Sequence, residues 1–250
     1  MGVTKRIKAA AHVYRCVHQM AFLHARASVL PGYDRVLAAA RLGGPSFRLL
    51  DVGCAFGQEV RGLILAGVPT ACIVASDIND AYWRAGLELF GDEDKASPIH
   101  QVATLFADWA TPADAPASPA AQFSGGATGR GSLDAVLCQL VLHVLSLQQS
   151  RNMLRRLAMS VKAGGLLVGS CVGAHVAGEW ARTPDGSAPR WLFAAEDLRK
   201  ELVDAGWTEV SVVEAPRDGG GVDRLANLNH PKSTADRGIV RLLFFAVAPA

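Results

Sequence analysis

The chain has 250 residues, of which half are hydrophobic and 19% are charged, so it can bury one sizeable core and is not an intrinsically disordered protein. Lysine and arginine exceed aspartate and glutamate by only 25 to 23, a balance that argues against a nucleic-acid-binding protein, since such proteins carry clustered basic residues. Five scattered cysteines, an N-terminal apolar run broken by histidine and arginine, and the lack of an apolar stretch of about 20 residues predict a cytoplasmic protein that is neither secreted nor membrane-spanning.

Helical patterning dominates the first 45 residues. Apolar residues recur at helical spacing over 5–28, and a second short helix is predicted over 33–42, ending at Gly43. Because the apolar stripe of the first helix must be buried, we expect residues 1–45 to form a helical lid. Residues 46–250 are expected to form one catalytic α/β core.

Strand and helix patterns alternate from residue 47 onward, which predicts a mostly parallel, doubly wound sheet with helices on both faces. Two segments rich in Gly, Pro and small residues, 111–132 and 215–238, are expected to be surface loops. The predicted strands are 47–52, 71–75, 100–106, 133–138, 166–171, 208–214 and 240–247, and the predicted helices are 58–66, 81–90, 148–161 and 196–205.

A turn rich in small residues joins the first predicted strand to the first core helix. The sequence LLDVGCAFG puts a buried strand directly before this turn, and its glycines allow close approach of a ligand to the backbone. The helix N-terminus near Gln58 favours a carboxylate or phosphate. An ordinary tight turn remains an alternative; otherwise the residues expected to contact a nucleotide-like ligand are Asp51, Gly53, Cys54, Ala55 and Gly57.

Two further carboxylates follow the next two predicted strands. Asp77 comes 20 residues after Gly57, where a carboxylate accepts the hydroxyl protons of a ribose, with Ile78 beside it. Asp80 could compete for this task or cap a helix. Asp108 can accept a hydrogen bond from an adenine amino group while Trp109 covers the ring. Three strand ends thus converge on one nucleoside.

These segments carry a family resemblance. LLDVGCAFG, ASD and FADW resemble motif I, the acidic ribose position and the adenine position of class I S-adenosylmethionine-dependent methyltransferases. LDVGCAFGQEVRGLILAGVP, GLELFGDEDK and VGAHVAGEW are similar to fungal secondary-metabolism methyltransferases of the meroterpenoid type. The resemblance implies a seven-stranded Rossmann-like sheet with an antiparallel last strand, and S-adenosyl-L-methionine as cofactor. Ala55, where many class I enzymes have glycine, and a longer loop after Asp108 depart from the family pattern.

Two other functions stay open. A nicotinamide-dependent dehydrogenase normally has a GxGxxG turn, whereas the glycine spacing here is GxxxG. Asp51 would also oppose a pyrophosphate but could orient a cationic sulfonium. The second alternative is a methyltransferase-like protein that binds the cofactor but catalyses a rearrangement or only binds a partner.

Two histidines are the candidate catalytic bases. Gln139, an expected cofactor contact, and His143 follow the fourth predicted strand, whose end is expected to face the transferred methyl group. The near-neutral pKa of an imidazole suits a general base. His24, at the end of the covering helix, is the second candidate. Packing is an equally good explanation for both imidazoles, because each lies among apolar residues.

Arg61, Trp180 and Trp191 are the candidate substrate-binding residues. Arg61 is about one turn into the first core helix, where it could reach a carboxylate or extend into solvent. Trp180 and Trp191 flank the segment ARTPDGSAPR, which could form a lid over an apolar substrate or be anchored by these aromatics. No spacing in the sequence is typical of a metal site.

The expected reaction is transfer of a methyl group from S-adenosylmethionine to an oxygen, either carboxylate or hydroxyl, of a small and partly hydrophobic metabolite. The expected partner is this small molecule, with no nucleic acid and no membrane, and the protein is expected to be a monomer or a homodimer. A carboxylate acceptor is already ionised near neutral pH, so no general base would be needed.

Overall fold

A computed structural model describes residues 25–111, 118–123, 131–180, 189–215 and 238–249. Within these ranges the α-helices are α1 (Tyr33–Gly43), α2 (Gln58–Leu65), α3 (Asp80–Leu89), α4 (Leu147–Ser160) and α5 (Ala195–Asp204). The strands are β1 (Leu49–Val52), β2 (Ile73–Asp77), β3 (Ala103–Phe106), β4 (Leu133–Gln139), β5 (Val161–Ala174), β6 (Gly178–Trp180), β7 (Arg190–Leu192), β8 (Thr208–Glu214) and β9 (Ile239–Val247).

Seven of these strands form one sheet in the order β3-β2-β1-β4-β5-β9-β8. The first five are parallel, whereas β9 is antiparallel to both of its neighbours. This topology confirms the predicted seven-stranded sheet with an antiparallel last strand. β5 is longer than predicted because it pairs with β9 continuously from Leu166↔Val247 to Ala174↔Ile239.

Helices cover both faces of the sheet, as the alternation of elements predicted. On the face called here the α1 face, α1 and α2 bury Val36 and Leu63 against strand residues that include Phe245. On the opposite face, α4 and α5 bury Leu154 and Leu198 against the other side of the strands. No helix in the described ranges is both long and apolar enough to cross a membrane.

Helix α4 begins at a capping box that the sequence encodes. The Ser146 hydroxyl accepts from the Gln149 amide at 3.3 Å, and Gln149 Oε1 accepts from the Ser146 amide at 2.9 Å. These reciprocal bonds satisfy two amides at the helix start. They also fix the direction in which the chain leaves the segment after β4.

A two-stranded hairpin, β6 with β7, was not predicted. Its register places Trp180 opposite Arg190 and Glu179 opposite Trp191. Each strand has only three residues, too few for an alternating pattern to stand out. A backbone bond from the Trp191 amide to the Leu145 carbonyl at 2.9 Å holds the hairpin against the segment between β4 and α4.

Candidate functional site

The turn between β1 and α2 has the open backbone that the sequence predicted. Gly53 and Gly57 both have φ of +74°, a left-handed conformation that favours glycine. A Cβ on Gly53 would lie 2.3 Å from Val141 Cγ2, so a side chain does not fit there. The Gly53 and Cys54 amides both donate to the Ser76 carbonyl, at 2.7 and 2.9 Å, which anchors the turn to β2.

Asp77, at the end of β2, holds the turn from the other side. Its Oδ2 accepts from the Ala55 amide at 2.9 Å and its Oδ1 accepts from the Asn79 amide at 3.1 Å. Burial raises the pKa of Asp77, and these amide bonds oppose the rise. Each carboxylate oxygen can accept more than one bond, so the side chain retains capacity for ribose hydroxyls.

Asp51 places a buried carboxyl at the same corner of the site. Its side chain is 1% exposed, and its Oδ2 has no hydrogen-bond partner among the described residues. Burial raises the pKa of Asp51 well above its usual range, and the nearby charges of Glu59 and Asp77 raise it further. A buried, unpartnered carboxyl oxygen is costly, and a cationic ligand nearby would relieve that cost.

Cys54 lies within the same turn but is buried. Burial raises the pKa of its thiol well above the usual range, so the thiol stays neutral and unreactive. Only its backbone therefore contributes to the turn. In the described ranges, no group of three or more His, Cys, Asp or Glu side chains could hold a metal ion.

Asp108 and Trp109 differ in their surroundings. Asp108 is half-buried after β3, and its Oδ1 accepts from the Ala110 amide at 2.8 Å. Trp109 is 3% exposed, donates from Nε1 to the Ser76 hydroxyl at 2.9 Å, and stacks on Phe123. Trp109 was expected to cover an adenine ring, but its indole is packed in the hydrophobic core instead.

Exposed apolar side chains lie at the ends of β2 and β3. Ile78 is 65% exposed and Phe106 is 40% exposed. Ile78 was expected near the ligand from its position beside Asp77. Phe106 was missed, although its place as the last residue of a strand before an acidic residue could have indicated it. A flat apolar group can pack on either side chain.

Arg61 has a structural role in place of the expected substrate contact. Its Nε and Nη2 bind Asp92 at 2.8 and 2.6 Å, Nη1 donates to the carbonyls of Phe56 and Gly57, and Nη2 donates to that of Gly86. Four hydrogen bonds and one ion pair therefore hold the guanidinium within the protein. The guanidinium also stacks on Phe90 at 4.3 Å, so the side chain is committed to these contacts.

Gln139 and His143 lie at and just beyond the end of β4. Gln139 Oε1 accepts from the Ser170 hydroxyl at 2.5 Å. His143 lies in a single helical turn, Leu142–Val144. Burial, with smaller effects from the charges of Arg190 and Arg241, lowers the pKa of His143 to about 3. The imidazole is therefore neutral near pH 7 and a weak proton acceptor.

The other expected contacts are less well placed or lie outside the described residues. In the β6–β7 hairpin, Trp191 is opposite Glu179, so Trp180 and Trp191 point to opposite faces of the hairpin and cannot both cover one substrate. Trp191 instead contacts Phe193 edge-on. The segment between them, 181–188, and His24 are outside the described residues.

Comparison with solved structures assigns the fold. A 1,6-didemethyltoxoflavin-N1-methyltransferase of Burkholderia thailandensis superposes with a TM-score of 0.57 over 99% of this chain and 88% of its own, at 16% identity. The fold is that of class I S-adenosylmethionine-dependent methyltransferases. The [4+2]-cyclase SpnF has the same fold, with a TM-score of 0.57 over 87% of this chain and 80% of its own, at 20% identity.

Sequence comparison confirms the resemblance to fungal secondary-metabolism methyltransferases. Methyltransferase adrK of Penicillium rubens is 32% identical over 165 residues, which are 65% of this chain and 54% of the relative. O-methyltransferase phiE of a fungal species is 27% identical over 189 residues, or 75% of this chain and 58% of the relative. The chain thus spans little more than half the length of these relatives. No protein-family model matches it.

Ala55 provides a test of strain in the turn. Its φ of +46° is left-handed, which costs a non-glycine residue about 1 to 2 kcal/mol. We expect Ala55→Gly to stabilise the protein by about 0.5 to 1 kcal/mol, after the greater freedom of glycine in the unfolded chain is subtracted. Urea denaturation measures this change. A less stable variant would show that the alanine methyl group contributes packing that outweighs the strain.

Proposed function

We propose that this chain transfers a methyl group from S-adenosylmethionine to an oxygen of a small, partly hydrophobic metabolite in secondary metabolism. The observation that carries the proposal is the meeting of three elements at the carboxyl ends of β1, β2 and β3: the turn at Gly53, the carboxylate of Asp77 and that of Asp108. In open α/β sheets this edge is where ligands bind. The similarity to phiE, which is named an O-methyltransferase, favours oxygen as the acceptor atom.

The residues present fit this cofactor. The turn at Gly53 leaves the backbone open to a ligand, Asp77 has acceptor capacity for ribose hydroxyls, and Asp108 has the same capacity for an adenine amino group. Ile78 and Phe106 offer apolar surface for a flat ring. A positively charged sulfur would favour the ionised form of the Asp51 carboxyl, whose pKa burial raises in the absence of such a charge.

When bound, S-adenosylmethionine supplies an electrophilic methyl group whose carbon–sulfur electron pair passes to sulfur as an oxygen nucleophile bonds to the carbon. The chain's contribution is to hold the acceptor in line and to exclude water, and such positioning supplies several kcal/mol. We also propose that residues 1–45 cover this pocket within a single domain comprising residues 1–250. In support, Glu59 binds the amides of Arg26 and Ala27, which places these two residues beside the start of α2.

His143 is not required as a general base in this proposal. A base with a pKa of about 3 accepts a proton poorly, whereas efficient catalysis uses a pKa near the working pH. We expect His143→Asn to lower kcat less than about tenfold with an acceptor found by turnover screening, with unchanged affinity for S-adenosylhomocysteine. A loss of about a hundredfold or more with intact cofactor binding would instead identify His143 as the base.

Two other functions compete with this one. The sheet of a dinucleotide-binding protein is mostly parallel, whereas β9 here is antiparallel to both of its neighbours, which disfavours a nicotinamide-dependent dehydrogenase. A protein that binds the cofactor but catalyses a rearrangement, or only binds a partner, would keep the same cofactor residues. SpnF has this fold and is named a [4+2]-cyclase. The second alternative is therefore the one that the experiment must exclude.

The deciding experiment combines binding with turnover. Calorimetric titration with S-adenosylmethionine, S-adenosylhomocysteine and NADH is expected to show binding of the first two and none of the third. Incubation with S-adenosylmethionine and a panel of apolar acids and phenols is then expected to release S-adenosylhomocysteine in proportion to methylated product. Binding of NADH alone would support the dehydrogenase. Product formed from an acceptor without consumption of S-adenosylmethionine would support a rearrangement.

A further inference from the structure

Helix α4 holds the segment after β3, which carries Asp108. Arg156 Nη1 donates to the Asp108 carbonyl at 3.0 Å, and Asn152 Nδ2 donates to the Ala110 carbonyl at 3.1 Å. Asn152 and Arg156 are four residues apart on α4, so they lie on the same side of the helix. These two side chains, called here the α4 clamp, therefore bind the main chain on either side of Trp109.

Both side chains of the α4 clamp are themselves fixed. Gln148, one turn before Asn152, donates to Asn152 Oδ1 at 3.0 Å, and this bond directs the Asn152 amino group to the Ala110 carbonyl. Arg156 is 0% exposed. A fully buried guanidinium is costly, and an apolar residue of similar size often serves stability equally well. The arginine at this position therefore favours a role for its donors beyond stability.

Trp109, between the two clamped carbonyls, ties the same segment to β2. Its indole belongs to the core cluster that includes Leu154 of α4. Its Nε1 donates to the Ser76 hydroxyl at 2.9 Å, and that hydroxyl donates to the Leu105 carbonyl at 2.6 Å. Ser76 directly precedes Asp77 on β2. Residues 108, 109 and 110 are thus fixed relative to both α4 and the strand that carries Asp77.

The carboxylate of Asp108 depends on this arrangement. Its Oδ1 accepts from the Ala110 amide at 2.8 Å, whereas its Oδ2 has no hydrogen-bond partner within the described part of the chain. Ala110 is therefore held twice, because its amide binds Asp108 and its carbonyl binds Asn152. A change in Asn152 reaches the carboxylate through Ala110 without a direct contact, and Oδ2 stays available to a ligand.

We propose that Asn152 and Arg156 are positioning residues for recognition of the adenine amino group, which they serve by holding the Asp108 carboxylate in place. This inference rests on the proposed function, in which Asp108 accepts a hydrogen bond from that amino group. Neither side chain contacts the base in this proposal, because their donors are bound to main-chain carbonyls. The selectivity for adenine is then set in part by α4.

The test compares S-adenosylhomocysteine with its 6-deamino analogue, which has purine in place of adenine and lacks only the amino group. Titration calorimetry on the unsubstituted protein should show at least about tenfold tighter binding of S-adenosylhomocysteine, since a hydrogen bond to a charged group is lost in the analogue. Asn152→Ala is expected to weaken binding of S-adenosylhomocysteine about 3- to 10-fold and to change that of the analogue less than about twofold.

Two further variants and one control sharpen the comparison. Arg156→Lys keeps the charge but not the planar fork of donors, and should also lose affinity for S-adenosylhomocysteine selectively. In Asp108→Ala, adding Asn152→Ala should cause no further loss, because the carboxylate that it positions is gone. Arg155, an exposed neighbour on α4, is the control, and Arg155→Ala should leave both affinities unchanged.

Urea denaturation shows whether each variant is folded, and Arg156→Lys carries the comparison if Asn152→Ala is not. A role in stability alone would weaken both ligands equally, and that result would overturn the proposal. So would an unchanged affinity for both ligands, a selective loss in Arg155→Ala, or a full further loss in the Asp108→Ala background. Failure of the unsubstituted protein to bind S-adenosylhomocysteine would refute the proposed function itself, whereas binding without preference over the analogue refutes only this inference.

Discussion

Asp77→Ala is expected to weaken binding of S-adenosylhomocysteine by about 1 to 3 kcal/mol, or about 5- to 150-fold. In the proposed complex this carboxylate accepts from ribose hydroxyls, and its removal leaves those hydroxyls without a partner. It also frees the Ala55 and Asn79 amides that Asp77 now holds, so the turn at Gly53 loses part of its anchoring. Isothermal titration calorimetry measures the change.

Asp80 supplies the control for this experiment. It is three residues away at the start of α3, is partly exposed, and forms an ion pair with Arg84 one turn along the helix. Asp80→Ala removes a carboxylate of the same kind from the same loop but leaves the turn intact, and its affinity should match that of the unsubstituted protein. An unchanged affinity in folded Asp77→Ala would remove Asp77 from the cofactor site.

Glu59→Ala is expected to lower the free energy of unfolding by about 1 to 3 kcal/mol and to loosen the segment before α1. The Glu59 carboxylate accepts from the Arg26 amide at 2.7 Å and from the Ala27 amide at 3.0 Å. Without it, two amides in a largely buried position have no acceptor. Urea denaturation measures the stability, and hydrogen exchange at residues 26 and 27 measures the loosening.

Two further variants sharpen this prediction. Glu59→Gln keeps one acceptor oxygen and should lose less stability than Glu59→Ala. Glu93, an exposed residue after α3, should tolerate alanine with no measurable change. If Glu59→Ala unfolds at the same urea concentration as the unsubstituted protein and exchange at residues 26 and 27 is not faster, the carboxylate does not fasten this segment.

The sheet could be predicted from the sequence because local patterns determine it. The predicted helix at 58–66 is observed as Gln58–Leu65, and the predicted strand at 208–214 is observed as Thr208–Glu214. Short apolar runs separated by glycine and polar residues are enough to define such elements. The β6–β7 hairpin was missed because its strands are too short to leave a periodic pattern in the sequence.

The site was only partly predictable, since its remaining residues depend on contacts between distant parts of the chain. Arg61 was expected near a substrate, but Asp92, 31 residues further along, binds its guanidinium. Glu59 was missed for the same reason, because nothing in the sequence indicates that it binds the Arg26 and Ala27 amides more than 30 residues earlier.

The position of β9 has a consequence for synthesis of the chain. Residues 239–247 occupy the gap between β5 and β8, although β8 is made before them. While the ribosome is still adding these residues, β5 presents an unpaired edge and β8 has no strand to join. Exposed strand edges promote association with other chains. The growing chain therefore passes through a stage in which chaperone binding would protect it, and that stage ends when β9 emerges and inserts.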